Sequence, residues 1–332
     1  MMIMRTDSHL FRLLIVLFLV SACDNPDIGK DTQEQSLVFQ CQAPEVKTVI
    51  ASDGTSMYWS EYDNVAAYLY EDDQCKASDV CGFDFTSVSL NTASFYPKEL
   101  NLVSEWQEYV NTVSSAIFYA FAPVAEEMPV PEGYSVSMNV PERQTGDFGR
   151  YQIAIAPAAQ FAQVVPLRFV PATAIFSVRC HLTADSPCAS TKIVRMTVRF
   201  IGGTVVGDCG LDMKTGLLTP SSPAEQSEVE INFEEPVVVS KVLEDDVPSH
   251  FNRYVRCSLI PSQSITQVNV TIYDKDGNSF ETTEPVVVPA DGIAGGTEFK
   301  CDCVFYVDKV SLNDSINGDS DDGISSDWEI EL

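Results

Sequence analysis

Val65-Ala66-Ala67-Tyr68-Leu69-Tyr70, followed at once by Glu71-Asp72-Asp73, is the stretch that decides the fold of this chain. Six apolar residues without helical spacing, rich in aromatic and branched side chains and stopped by an acidic turn, predict a buried β-strand. Working outward, the same style recurs. Upstream, Leu37-Val38-Phe39-Gln40-Cys41 is a short β-prone run ended by Pro44, and Trp59-Ser60-Glu61-Tyr62-Asp63 leads into the central stretch. Downstream, Phe83, Phe85, Val88 and Leu90 alternate with polar residues apart from one slip, and Ala116–Phe121 is ended by Pro123. Val136–Val140 and Tyr151–Ala156 add two more short runs. Only residues 98–115, with Leu100, Leu102, Val103, Trp106, Tyr109 and Val110, carry the spacing of a short helix.

The second half repeats the pattern at 166–182, 191–201, 228–241, 252–260, 266–273, 279–288 and 298–311. Turn signals separate the runs: Gly202-Gly203, Lys214-Thr215-Gly216, Asp274-Lys275-Asp276-Gly277 and Gly295-Gly296. Many short strands punctuated by Gly, Pro and Asp predict an all-β chain of antiparallel sandwiches. A break near residue 165 gives two comparable domains, 36–165 and 166–332.

The N-terminus reads as an export signal. Arg5 and Arg12 precede eight apolar residues, Leu13–Val20, and then come Ser21, Ala22 and Cys23. Eight residues are too few for a transmembrane helix, which needs about 20. Val20-Ser21-Ala22-Cys23 resembles a bacterial lipobox, which implies cleavage between Ala22 and Cys23, acylation of Cys23 and a lipid-anchored chain. Residues 1–22 are then the signal and 23–35 a polar tether.

The chain has 332 residues and a net charge of −28. Nucleic acid and anionic lipid surfaces require positive charge, so neither is expected as a partner. Past Cys23 nine cysteines remain, an odd number that cannot all pair within the chain. Cys75/Cys81 and Cys180/Cys188 are close enough to close small loops, but sequence does not fix the connectivity. Cys301-Asp302-Cys303 places two thiols on one face of a strand.

No chemistry stands out. A nucleophile elbow, a P-loop and a dinucleotide fingerprint each need a strand-to-helix turn, and the helices are missing. Past the signal, the histidines are His181 and His250, neither in a catalytic context. Asn313–Gly323 is dense in Asp, yet Ile324 stands where an EF-hand loop closes with Glu, so it reads as a solvated loop. Asn269-Val270-Thr271 and Asn313-Asp314-Ser315 fit the glycosylation pattern, a weak signal in a bacterial lipoprotein. No enzyme activity, metal or cofactor is expected.

Several segments, in order and spacing, resemble the fimbrillin-like lipoproteins of Bacteroidales. These are Trp59–Tyr68, the aromatic strand Phe118–Pro123, the turn Pro141-Glu142-Arg143-Gln144-Thr145, the run Leu167–Phe176, and Gly295-Gly296 with a terminal Trp328. Pro171 stands where the family usually carries His. The resemblance implies two tandem transthyretin-like β-sandwiches, a surface-exposed outer-membrane anchor through Cys23, and assembly with other pilus subunits by strand exchange. It further implies removal of the first strand, Leu37–Cys41, by cleavage after a basic residue. Lys47 is the first one beyond that strand, so the cut would fall between Lys47 and Thr48.

Trp328-Glu329-Ile330-Glu331-Leu332 alternates apolar with acidic residues and reads as an edge strand of its own domain, with strand donation as the alternative. A different role, a surface glycan-binding lipoprotein, would use exposed aromatics as a stacking platform. Trp106 and Tyr109 are the first residues to consider for it, although core packing suits them better. Adhesion through host or bacterial surface glycans or proteins fits either role.

Overall fold

The computed structural model describes residues 37–42, 59, 64–89, 92–110, 115–124, 128–145, 148–160, 162, 164–241 and 254–308. Ala22, Cys23, Lys47, Thr48, His250, the Asp-rich stretch 313–323 and Trp328–Leu332 lie outside them. The strands in chain order are β1 (Val38–Gln42), β2 (Asn64–Glu71), β3 (Gln74–Ser89), β4 (Thr92–Pro97), β5 (Ile117–Ala122) and β6 (Ser135–Val140). Next come β7 (Arg143–Thr145), β8 (Ala154–Gln160), β9 (Val164–Arg168), β10 (Val170–Pro171), β11 (Ala174–Leu182), β12 (Ser190–Ile201) and β13 (Gly207–Asp212). The last are β14 (Leu218–Pro220), β15 (Gln226–Ser240), β16 (Val255–Leu259), β17 (Gln267–Asp274), β18 (Ser279–Glu281), β19 (Val286–Val287) and β20 (Glu298–Phe305). Helix α1 (Leu100–Val110) lies within the expected helical segment. The fold is all-β, as the punctuation predicts.

Strand β2 explains itself once both of its faces are followed. Val65, Ala67 and Leu69 enter one core cluster with Phe39, Trp106 and Phe118. Ala66, Tyr68 and Tyr70 enter another with Phe176, Val198 and Leu211. A strand covered on both faces needs no polar alternation, which is why the run is apolar throughout. The turn after it is a tight hairpin in which Asp72 and Asp73 take φ of 48° and 62°, the left-handed region that Asp tolerates better than most residues.

An eight-stranded sheet runs β10-β8-β5-β2-β3-β4-β1-β9. Strand β3 pairs with β2 through its first half and with β4 through its second, with a register shift between Asp84 and Ser89. In a flat sheet β1 and β5, four steps apart, would be separated by about 19 Å. Yet the rings of Phe39 and Phe118 meet edge-on at 5.2 Å between centroids. The sheet therefore doubles over, and its two leaves form a sandwich around the cluster that α1 also covers with Leu102 and Trp106.

The remaining strands form a six-stranded sheet, with path β18-β17-β12-β15-β7 and β19 off it, and three-stranded sheets β16-β11-β20 and β14-β13-β6. Phe176 of β11 meets Phe200 of β12 edge-on at 5.2 Å, so sheets face one another across a core here too. Residue 165 falls inside β9, and β6 and β7, which precede it, pair with β13 and β15, which follow it. Pairing is mostly antiparallel, with parallel ladders at β1/β9, β11/β20 and β15/β7.

All nine described cysteines are free. Cys75 and Cys81 sit on the single strand β3, six residues and so about 20 Å apart, which corrects the expectation of a small loop there. Cys180 is in β11, whereas the Cys188 thiol points to Val307 O. Burial pushes the thiols of Cys41, Cys180 and Cys257 far above the usual range, and that of Cys209 up to about 11. They behave as small apolar side chains.

Candidate functional site: the seat of the first strand

Strand β1 is five residues long, and its alternation decides its seat. Leu37, Phe39 and Cys41 are fully buried, while Gln40 between them is exposed. It lies inside the sheet, with antiparallel β4 on one side and parallel β9 on the other: Phe39 is opposite Phe95 and Val165. Each fully buried side chain of this size contributes about 1.5–3 kcal/mol, and each ladder hydrogen bond about 1 kcal/mol. The strand is firmly held, but by few residues.

Its C-terminal end is clasped. Trp59 Nε1 donates to Cys41 O at 3.2 Å, and Phe169 N donates to Gln42 O at 3.2 Å. The Trp59 ring packs edge-on against Phe95 at 5.0 Å and Phe169 at 5.3 Å. Without β1, the facing edges of β4 and β9 would stand about 9.5 Å apart, two strand spacings, with main-chain groups on both sides and apolar sockets below. Such a channel accepts an extended segment with alternate apolar side chains.

Gln144 gives the turn Pro141–Thr145 a physical reason. Its side chain is buried and acts as a piece of backbone. Nε2 donates to Ser258 O at 2.8 Å and to Pro141 O at 3.1 Å, while Oε1 accepts from Ser258 N at 2.9 Å. One amide thus closes the edge of β16, and Gln152 Nε2 completes the contact by donating to Ser258 Oγ at 2.8 Å. The flanking residues Arg143–Thr145 form β7, so this turn continues as a strand.

Other residues singled out by sequence fall into structural roles. Trp106 is completely buried, with Nε1 donating to Ala162 O at 3.2 Å. The Tyr109 hydroxyl donates to Glu71 Oε2 at 2.7 Å, which raises its pKa to about 12. Neither forms a stacking platform. His181 is buried in β11 with Nε2 3.7 Å from Asp302; burial first, then the neighbouring Arg179 charge, lower its pKa. Gly295-Gly296 lies one residue before β20, and Gly296 has φ of +68°. Among the described residues no three His, Cys, Asp or Glu side chains converge as a metal site. No described helix is long and apolar enough to cross a membrane.

The fold is similar to that of two proteins solved from Bacteroides. The chain is similar to a proposed cell adhesion protein of Bacteroides uniformis, with a TM-score of 0.51 at 11% identity, covering 83% of this chain and 95% of the other. It is also similar to a proposed cell adhesion protein of Bacteroides ovatus, with a TM-score of 0.52 at 10% identity, covering 83% and 99%. A fimbrial assembly protein of Parabacteroides distasonis aligns at a TM-score of 0.42 and 8% identity over 80% of this chain and 90% of its own. At such identities the likeness to the two Bacteroides proteins is one of fold. No protein-family model matches the sequence, and no curated protein matches it.

Proposed function

We propose that this protein is a non-catalytic fimbrial subunit, lipid-anchored through Cys23 at the outer membrane during export and joined to its neighbours by β-strand addition. The observation that carries the reading is the seat of β1: a short interior strand with Leu37, Phe39 and Cys41 in apolar sockets, preceding Lys47 in the chain. Cleavage between Lys47 and Thr48 would release the signal-proximal tether, its acyl chains and β1 together. The channel between β4 and β9 would then receive a strand from the next subunit, and the fibre would be held by strands instead of lipid. The shared fold with proteins linked to cell adhesion supports a surface role.

The deciding experiment is N-terminal sequencing of the surface form, combined with electron microscopy of cells labelled with antibody to this protein. A start at Thr48 on labelled filaments or filament tips supports the proposal. A start at Cys23 with no labelled filament rejects it.

A further inference from the structure

Two adjoining hollows open beside the β6/β13 ladder. The first is a groove of about 780 Å³ whose walls carry Asn139, Glu142, Arg199, Asp208, Gln226 and Glu228. The second, of about 690 Å³, shares Asn139 and Asp208 with it but is otherwise largely apolar, lined by Phe121, Val124, Met128, Pro129 and Met138. Both volumes fall within the range of about 300–1,000 Å³ typical of small-ligand sites. Asn139 and Asp208 form a rib between them, fixed by Asn139 Nδ2 donating to Asp208 Oδ1 at 2.7 Å. Along the groove, Arg199 Nε and Nη2 both donate to Glu228 Oε2, at 3.1 and 3.0 Å. The side chains of Glu142 and Gln226 are exposed and make no hydrogen bond to another described residue.

The geometry points to a binding site for a neutral oligosaccharide. Amide, hydroxyl, carboxylate and guanidinium groups line the groove, offering donors and acceptors side by side, and a sugar hydroxyl is both at once. Three carboxylates against one guanidinium, on a chain of net charge −28, repel anionic ligands such as sialylated or sulfated glycans. The hollow across the rib, walled by Val124, Met128, Pro129 and Met138, offers apolar contact to the C–H face of a neighbouring sugar ring. This supplies an adhesive ligand for the surface role proposed above, and rests on that role for its setting but not on strand exchange.

The test is calorimetric titration of the purified protein with a panel of neutral di- to tetrasaccharides, alongside sialylated and sulfated ones. At least one neutral saccharide should bind with a Kd below about 1 mM. Gln226→Ala and Asn139→Ala should each weaken that binding about fivefold or more, with unchanged circular dichroism. Glu234→Ala, exposed on β15 and outside the groove, should leave it unchanged. Absence of binding to every neutral saccharide at about 10 mM, preference for anionic ones, or indifference to both groove variants would overturn the inference. No saccharide binding by the unaltered protein, with filaments intact, would count against the saccharide site alone; missing filaments with binding intact would count against the assembly reading alone.

Discussion

Lys214 Nζ lies 3.6 Å from the centroid of the Tyr134 ring and 3.1 Å from Asp73 Oδ1, so one cation joins the tip of the β2/β3 hairpin to the turn after β13. Tyr134 completes the triangle by donating its hydroxyl to the same Asp73 oxygen at 2.6 Å, and its ring stacks on Tyr70 at 4.5 Å. The Asp73 carboxyl is held below its usual pKa, first by the Tyr134 hydroxyl and then by Lys214. All three groups face water, so screening limits their effect. Lys214→Ala should therefore lower Tm only slightly, by about 1–2 °C. The difference from the unaltered protein should shrink further in about 1 M NaCl, where the Debye length is about 3 Å. A Tm loss that persists at high salt would show that packing, not charge, sustains this contact.

Gln144 behaves oppositely because it is buried. Gln144→Ala would remove the hydrogen bonds that Gln144 makes to Ser258 N–H and Ser258 C=O inside the fold, a loss of about 1–3 kcal/mol each. The expected loss is about 2–4 kcal/mol in chemical denaturation, and Gln144→Glu should be at least as damaging, since a carboxylate cannot donate to Ser258 O. An exposed neighbour, Arg143→Ala, should stay within about 0.5 kcal/mol.

The sequence exposes one half of this arrangement and conceals the other. Strand β2 is legible because both faces are covered, and β12, β15 and β17 because their runs are long. Strand β13 was not anticipated: Gly207, Asp208, Gly210 and Asp212 break every strand template, yet its Cys209 and Leu211 enter the core. Strand β7 has only three residues and takes its register from β15, information that lies about 85 positions away in the chain. The saccharide groove was invisible for a similar reason, since its walls come from the segments around 139–142, 199–208 and 222–228, which no local pattern links. The aromatic pair that sequence did offer, Trp106 and Tyr109, is taken up by packing and by Glu71.

Acid should weaken the fold in two stages, and the signs follow from two depressed pKa values. His181 titrates below its ordinary 6.5, mainly because it is buried, so the unfolded chain binds a proton more readily near that pH. The stability this implies is present above pH 6.5 and drains as pH falls below it. Asp302 is held below 3.8 chiefly by its bidentate hydrogen bonds from Arg179, so its contribution is present above about pH 4 and is lost below. Thermal melts from pH 7.5 to 3 should show both declines. His181→Gln should flatten the upper one, and Asp302→Asn should reduce the lower, to which Asp73, Glu230 and Glu298 also contribute because they too are held below their ordinary values. A Tm constant between pH 7 and 5 would contradict the role given to His181.

The seat of β1 gives the sharpest contrast between neighbouring residues. Phe39 is wholly buried, touching Phe118 at 5.2 Å, whereas Gln40 points to solvent. In the unprocessed protein Phe39→Ala should cost about 3–5 kcal/mol, and Gln40→Ala less than about 0.5 kcal/mol. If Lys47 is the processing point, the Phe39 penalty must vanish from the surface form, because the substituted strand has left with the tether. Lys47→Gln should then retain the N-terminus at Cys23, keep the penalty and abolish filaments, all in one variant. Cells carrying Lys47→Gln that still display filaments containing this protein would mean that the first strand stays in place.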